Sequence, residues 1–299
     1  MYKNFEQIMQ EAVKTGPYKV CVAAAGDKEV LKAVKAAQDL GFIEPVLVGV
    51  EETIHTYAKE IGMDQYQVHH VETPEEAAKK AVDIVGSGEG DILMKGLVNT
   101  SVYMRAVLNK ETGLRAGQLI SMMAVYEIPG YHKLLYATDS GINTAPNLKE
   151  KAVILESALG AMKSMGIENP KVAALAANEM VNPKMQATVD AQGLVNAVEV
   201  GLLPKCVIEG PIAFDVAFSN EAAEHKGIQS QVAGDVDLLV FPNIETGNVL
   251  GKSWLHFNNA KWAGIVLGAS KPIILGSRSD TADIKINSIA LACLASRED

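Results

Sequence analysis

The sequence predicts an α/β fold of two lobes with a cleft between them, mainly parallel sheets and helices on both sheet faces. Three observations carry that expectation. Short apolar runs take turns with helically spaced segments along most of the chain. The apolar runs lack the polar alternation of a half-exposed strand, as strands buried on both faces do. The pattern begins anew after a turn at Pro129-Gly130, which divides the chain into two regions of the same kind. Strand and helix in succession imply parallel strands joined by helical crossovers. A length of 299 residues with 48% hydrophobic content is enough for one large or two ordinary domains.

In order, Tyr18 to Ala25 reads as a buried strand, Asp27 to Leu40 as a helix closed by Gly41, Pro45 to Val50 as a strand, and Glu51 to Ile61 as a helix closed by Gly62. Val68 to Val71 is a short strand, and Thr73-Pro74-Glu75-Glu76 has the cap, proline and acidic first turn of a helix start. Asp91 to Met94 is the next strand. In the middle region Leu134 to Thr138 reads as strand, Asn147 to Met165 as a long helix and Val172 to Ala176 as strand. Pro183 to Gln192 follows as helix, with Cys206 to Glu209 and Asp237 to Pro242 as strands. Gly264 to Leu275 reads as one buried strand that feeds a helix from Thr281 to Cys293.

Bulk properties exclude several classes. A formal charge of −9 argues against nucleic acid as a broad-surface partner, so an anionic ligand must be met by local basic groups. Met1 to Gln10 lacks the features of an export signal, and no segment reaches the roughly 18 apolar residues of a membrane span. Cys21, Cys206 and Cys293 are far apart in apolar surroundings without metal-type spacing, and read as reduced core thiols of a cytoplasmic protein.

The polar residues that stand out lie where strands end. Leu275-Gly276-Ser277-Arg278-Ser279-Asp280-Thr281-Ala282-Asp283 puts a serine, an arginine and two carboxylates between a strand and a helix start. Unpaired amides and the positive end of the helix dipole suit phosphate there, and a guanidinium can grip it in two-pronged fashion. Asp280 also fits a helix cap and Asp283 a favourable first-turn charge. Lys95-Gly96-Leu97-Val98-Asn99-Thr100-Ser101 is a second anion-ready helix start, with a capped turn and surface lysine as the alternative. Arg115 is flanked by Gly113 and Gly117, and is either a ligand-facing or a surface arginine. Asp139-Ser140-Gly141-Ile142-Asn143 is either a functional loop or an Asp/Asn-rich turn. Glu209-Gly210-Pro211 and Phe241-Pro242-Asn243 read singly as tight turns.

Taken together, Glu209-Gly210-Pro211 with Phe214-Asp215, Gln231-Val232-Ala233-Gly234-Asp235, Pro242-Asn243-Ile244-Glu245-Thr246-Gly247-Asn248 and Ser277-Arg278 resemble the signatures of the phosphate acetyl/butyryltransferase family. The resemblance spans nearly the whole chain. Glu221-Ala222-Ala223-Glu224-His225-Lys226-Gly227-Ile228 and Ser277-Arg278-Ser279-Asp280-Thr281 are more similar to the butyryl branch than to the acetyl branch.

The resemblance implies reversible transfer of a short-chain acyl group between coenzyme A and inorganic phosphate, on a fold like that of isocitrate and isopropylmalate dehydrogenases. It implies no permanently bound cofactor and no metal, coenzyme A and acyl phosphate as small-molecule partners, and a homodimer or higher homo-oligomer. It also implies a first lobe of residues 1–124 plus 264–299 and an inserted lobe of 125–263. Ser277 and Arg278 would stabilise the oxyanion and departing phosphate, with Asp280 or Asp283 as base. Gly96, Thr100, Ser101, Arg115, Asp139, Ser140 and Asn143 would bind phosphate or substrate. The acetyl branch carries its aspartate further from the serine than either Asp280 or Asp283, so both stay candidates. Ser140 stands where the acetyl branch often has cysteine, which implies direct attack in a ternary complex. The rivals are a phosphate acetyltransferase, a metal- and NAD-dependent hydroxyacid dehydrogenase, and a non-catalytic binding relative.

Overall fold

The computed structural model describes residues 1–116, 119–276 and 280–297. They fall into two compact units, one of Phe5–Gln118 with Ala263–Asp299, the other of Met1–Asn4 with Leu119–Trp262.

The first unit opens with α1 (Phe5–Thr15), whose Phe5, Ile8 and Ala12 recur at helical spacing and are buried. Then come β1 (Tyr18–Ala23), α2 (Lys28–Asp39), β2 (Ile43–Gly49), α3 (Glu51–Ile61), β3 (Gln67–His70), α4 (Pro74–Gly86), β4 (Ile92–Lys95) and α5 (Thr100–Val107). Their boundaries follow local chemistry. The Asp27 side chain accepts from the Val30 amide at the start of α2. Thr73 and Glu76 cap each other's amides at α4, and Gly62 ends α3 at φ 69°, a left-handed conformation in which a side chain is strained. β1 lies between β2 and β4, parallel to both, with Val20 opposite Pro45 and Ile92.

The second unit contains β5 (Ser121–Glu127), β6 (Leu135–Thr138), α6 (Leu148–Ser164), β7 (Lys171–Leu175), α7 (Gln186–Glu199), β8 (Val207–Ile212), α8 (Phe214–Phe218), α9 (Asn220–His225), β9 (Leu238–Val240) and α10 (Ile244–Phe257). Its strands are ordered β5-β6-β9-β7-β8, parallel except for β5 against β6. One face of the sheet carries a core in which Tyr126 meets Trp254 edge to face, ring centroids 4.9 Å apart. α10 reaches this core through Gly251, where a Cβ would stand 2.2 Å from the Tyr126 hydroxyl.

The chain then forms β10 (Lys261–Leu267), β11 (Ile273–Ile274) and α11 (Ala282–Ala295). The first unit's sheet runs β3-β2-β1-β4-β11-β10, with β11 parallel to β4 and antiparallel to β10.

Four expectations are corrected. Glu209-Gly210-Pro211 is not a turn but runs as strand inside β8. The continuous strand from Gly264 to Leu275 is two strands, because Gly268 turns the chain at φ 86° and the Ser270 amide bonds the Leu114 carbonyl instead of a ladder partner. The helix expected from Pro183 begins later. Its first residues form a turn in which the Asn182 amide donates to the Thr188 hydroxyl and the Met185 amide to the Asn182 carbonyl. Phe241 to Asn248 is not a bare turn: the Asn243 side chain accepts from the Thr246 amide and starts α10. Among the described residues no helix is long and apolar enough to cross a membrane.

Candidate functional site

In the first unit the strands deliver three loops to one sheet edge. Ala23 of β1 stands opposite Lys95 of β4, and Met94 of β4 opposite Ile274 of β11, so the segments after these strands emerge side by side. Gly96 is required there by main chain. Its amide donates to Ala23 O and that of Leu97 to Ala24 O, both at 2.8 Å, and a Cβ on Gly96 would lie 2.3 Å from Ala24 O. Neither carbonyl can yield without breaking this pairing. Gly96→Ala is therefore expected to destabilise the fold by about 1–3 kcal/mol, measured by urea denaturation. An unchanged midpoint would show that the two strand ends can separate at no cost.

Thr100 and Ser101 open α5 and are exposed, behind Asn99 at the cap position. Lys95, which sequence reasoning passed over as a site residue, is 5% exposed, and its ammonium donates to the Gly96 carbonyl at 3.2 Å. Charged lysine is seldom so buried. The signal in the sequence is a lysine directly at the end of an apolar strand.

Ser277 and Arg278 lie outside the described residues. The segment's two flanks are described. The Asp280 carboxylate reaches back toward β11, with Oδ2 3.6 Å from where a Gly276 Cβ would stand. Thr281, not Asp280, caps α11 by accepting from the Ile284 amide. Asp283 is exposed in the first turn. Lys285, also unread in the sequence, is 5% exposed, and its ammonium donates to the main-chain carbonyl of Asp280. Arg115 is exposed, and its backbone bridges to Ala269 in the turn between β10 and β11. The small residue before it serves the chain: a Cβ on Gly113 would lie 2.4 Å from the carbonyls of Val107 and Asn109.

Asp139, Ser140 and Asn143 belong to the second unit, where β6 and β9 end together with Thr138 opposite Val240. Asp139 is buried, and its carboxylate is engaged by its own loop. It accepts from the amides of Gly141, Ile142 and Asn143 at 2.9 to 3.1 Å, and from the Asn143 side chain at 2.5 Å. Asn143 is anchored in turn to the Ile120 carbonyl. Ser140 is packed under α10, where a Cβ on Gly247 would lie 2.9 Å from the Ser140 Cα.

Other sequence signatures also hold this unit together. Glu209 accepts from the Ser230 hydroxyl at 2.5 Å and the Gln231 amide at 2.6 Å, tying two of the motifs to each other. Asp235 lies among Lys133, Lys171 and His132. Burial raises its carboxyl pKa, but hydrogen bonds from those three groups outweigh that and hold it well below the usual range.

All three cysteines are free and buried. Burial pushes the Cys21 thiol up to about 12 and the Cys206 thiol to about 11, and raises that of Cys293 as well. None is poised as a thiolate nucleophile. Among the described residues no group of three or more His, Cys, Asp or Glu side chains is arranged to hold a metal ion.

Mainly parallel sheets joined by helices, with helix starts and the buried Lys95 at the carboxyl ends of strands, define a protein of the α/β class, in which ligand sites lie at such ends. Residues 50–293 match the phosphate acetyl/butaryl transferase family, and the chain belongs to that family. It is 45% identical over 296 residues to a phosphate butyryltransferase of Clostridium acetobutylicum, covering 98% of each chain. It is also similar to the crystal structure of a branched-chain phosphotransacylase from Enterococcus faecalis, with a TM-score of 0.84 and 30% identity over 94% of this chain and 100% of that one. A 4-hydroxythreonine-4-phosphate dehydrogenase from Klebsiella pneumoniae shares the fold at a TM-score of 0.56 and 13% identity, over 94% of this chain and 100% of that one.

Proposed function

We propose that the chain is a phosphate acyltransferase of the butyryl type, which moves a short-chain acyl group reversibly between coenzyme A and inorganic phosphate. The observation that carries this reading is the near full-length similarity to a phosphate butyryltransferase. The strand-end loops of the first unit, with Lys95 and Lys285 buried beside them, support it by offering fixed positive charge to an anionic substrate.

In the direction of thioester synthesis the coenzyme A thiol, with an ordinary pKa near ~8.5, gives its proton to a carboxylate base. The thiolate attacks the acyl phosphate carbonyl, the carbon–oxygen bond to phosphate breaks, and inorganic phosphate leaves. We assign the base to Asp280. Its carboxylate turns back to Gly276, next to Ser277, whereas that of Asp283 is exposed on the helix. Arg278 and the Ser277 hydroxyl take the oxyanion and departing phosphate, with Arg115 and the Gly96, Thr100 and Ser101 helix start on the phosphate side. Asp139 and Asn143 act by shaping the loop that carries Ser140, given how completely the Asp139 carboxylate is engaged. Attack is direct, a reading supported by the high pKa values of the buried thiols. The reading includes no permanently bound cofactor, a cytoplasmic setting, and a homodimer or higher homo-oligomer.

The test is phosphate-dependent release of free thiol from acetyl-, propionyl-, butyryl- and branched acyl-CoA. Release is expected to be fastest with a four- or five-carbon acyl group. No release from any of them would overturn the assignment.

A further inference from the structure

The first unit holds a cavity of about 200 Å³ that the chemistry above does not use. It opens at the carboxyl ends of β1, β2 and β3, and its walls come from Ala24 and Gly26 after β1, Val50 and Thr53 at the start of α3, Ala77 of α4 and Leu97 after β4. Apart from Glu72 and the hydroxyls of Thr53 and Thr73, the walls are small or apolar. Val50 and Leu97 are among the large hydrophobic residues this protein leaves exposed, at 37% and 45%, and both border the cavity. Apolar side chains open to water around a concave space mark a ligand site more often than a packing fault.

The polar groups narrow the ligand. Val50, at the cap position of α3, offers no side-chain acceptor; His70 Nδ1 takes the Glu51 amide at 3.2 Å, which leaves the Glu52 and Thr53 amides of that first turn as donors at this wall. Glu72 also lines the cavity, exposed and bonded through Oε1 to His70 Nε2 at 3.0 Å, and offers acceptor oxygens. Glu51 and Glu52 stand in the same first turn of α3. They do not line the cavity, but the Glu72 carboxylate does, and it disfavours phosphate there. A donor wall beside a carboxylate instead fits an uncharged heteroaromatic base that carries an amine next to a ring nitrogen. The volume is too small for a whole coenzyme and suited to one ring system.

We infer that this cavity receives the adenine end of coenzyme A, with the coenzyme's phosphates kept outside, away from Glu72. The inference rests on the acyltransferase reading and adds the place where the nucleotide is held. The ring is remote from the reacting atoms, so its binding is the same in ground and transition states and is expressed in KM alone.

Thr53→Tyr puts a ring into the cavity from a partly exposed position. Its KM for butyryl-CoA is expected to rise about tenfold or more, while kcat and the KM for phosphate stay within about twofold. Butyryl-pantetheine, which lacks the nucleotide, is expected to react equally well with both proteins. Adenosine should compete with butyryl-CoA in the unaltered protein, which tests the site even if the variant fails to fold. An unchanged KM for butyryl-CoA in folded variant, an equal rise for butyryl-pantetheine, or no competition by adenosine would overturn the inference. If the unaltered protein releases no coenzyme A from any acyl-CoA, it is the acyltransferase reading that falls.

Discussion

Arg278→Ala is expected to lower turnover by about 10²–10³-fold, ~2.7–4 kcal/mol of transition-state stabilisation, with the thermal midpoint unchanged. The residue follows a buried strand and precedes a helix start, where a guanidinium adds little to a core and can meet both oxygens of a departing phosphate. Arg278→Lys keeps the charge without the planar fork and should recover part of the loss at most. The measurement is kcat with butyryl-CoA and phosphate, set beside a melting curve. A variant that melts early but keeps full activity per folded molecule would make Arg278 a structural residue.

Asp280→Asn should cost about 10²–10⁴-fold in kcat, the usual worth of a positioned general base, while Asp283→Asn stays within about threefold. The distinction rests on geometry. Asp280 is partly buried with its carboxylate turned toward Gly276, and the Lys285 ammonium holds its main-chain carbonyl. Asp283 lies exposed one position into the helix, where its charge favours the dipole and little else. The comparison is a pair of pH–rate profiles: Asp280→Asn should lose the acid limb that a carboxylate base produces. A large loss in Asp283→Asn with Asp280→Asn near normal would move the role to Asp283.

Much of the architecture was legible in the sequence because punctuation and periodicity agreed. Thr73-Pro74-Glu75-Glu76, Asn147 and Gly62 each marked a boundary that the chain uses, since the side chains of Thr73, Glu76 and Asn147 and the Gly62 amide satisfy the helix-end groups. The misreadings have physical causes. The run Gly264 to Leu275 is apolar throughout, and nothing in its periodicity distinguishes one strand from two joined by a tight turn at Gly268. α10 was missed because Phe241 to Asn248 read as a glycine and proline turn, whereas Gly247, like Gly251 further on, lets Ser140 and Tyr126 pack against the helix.

Site residues were legible in position but not in use. Asp139 and Asn143 stand at a strand end, as the spacing predicted, yet which partners a carboxylate takes depends on amides that follow it in a loop. Lys95 was noted only as a surface lysine and Lys285 not at all, because a single lysine in a linear sequence reads as surface and burial of the charge is a tertiary fact. Gly96 was read as the turn of an anion-ready helix start, and the structure adds that it is held there by the carbonyls of Ala23 and Ala24.

The most direct measurement of the central claim is product identity. The protein is incubated with butyryl-CoA and inorganic phosphate, free thiol is followed by absorbance, and phosphorus species are followed by NMR. The account predicts an acyl phosphate resonance that grows in step with thiol, together with no acylated protein by intact mass when phosphate is left out. Thiol release without acyl phosphate would make the protein a thioesterase and contradict transfer to phosphate.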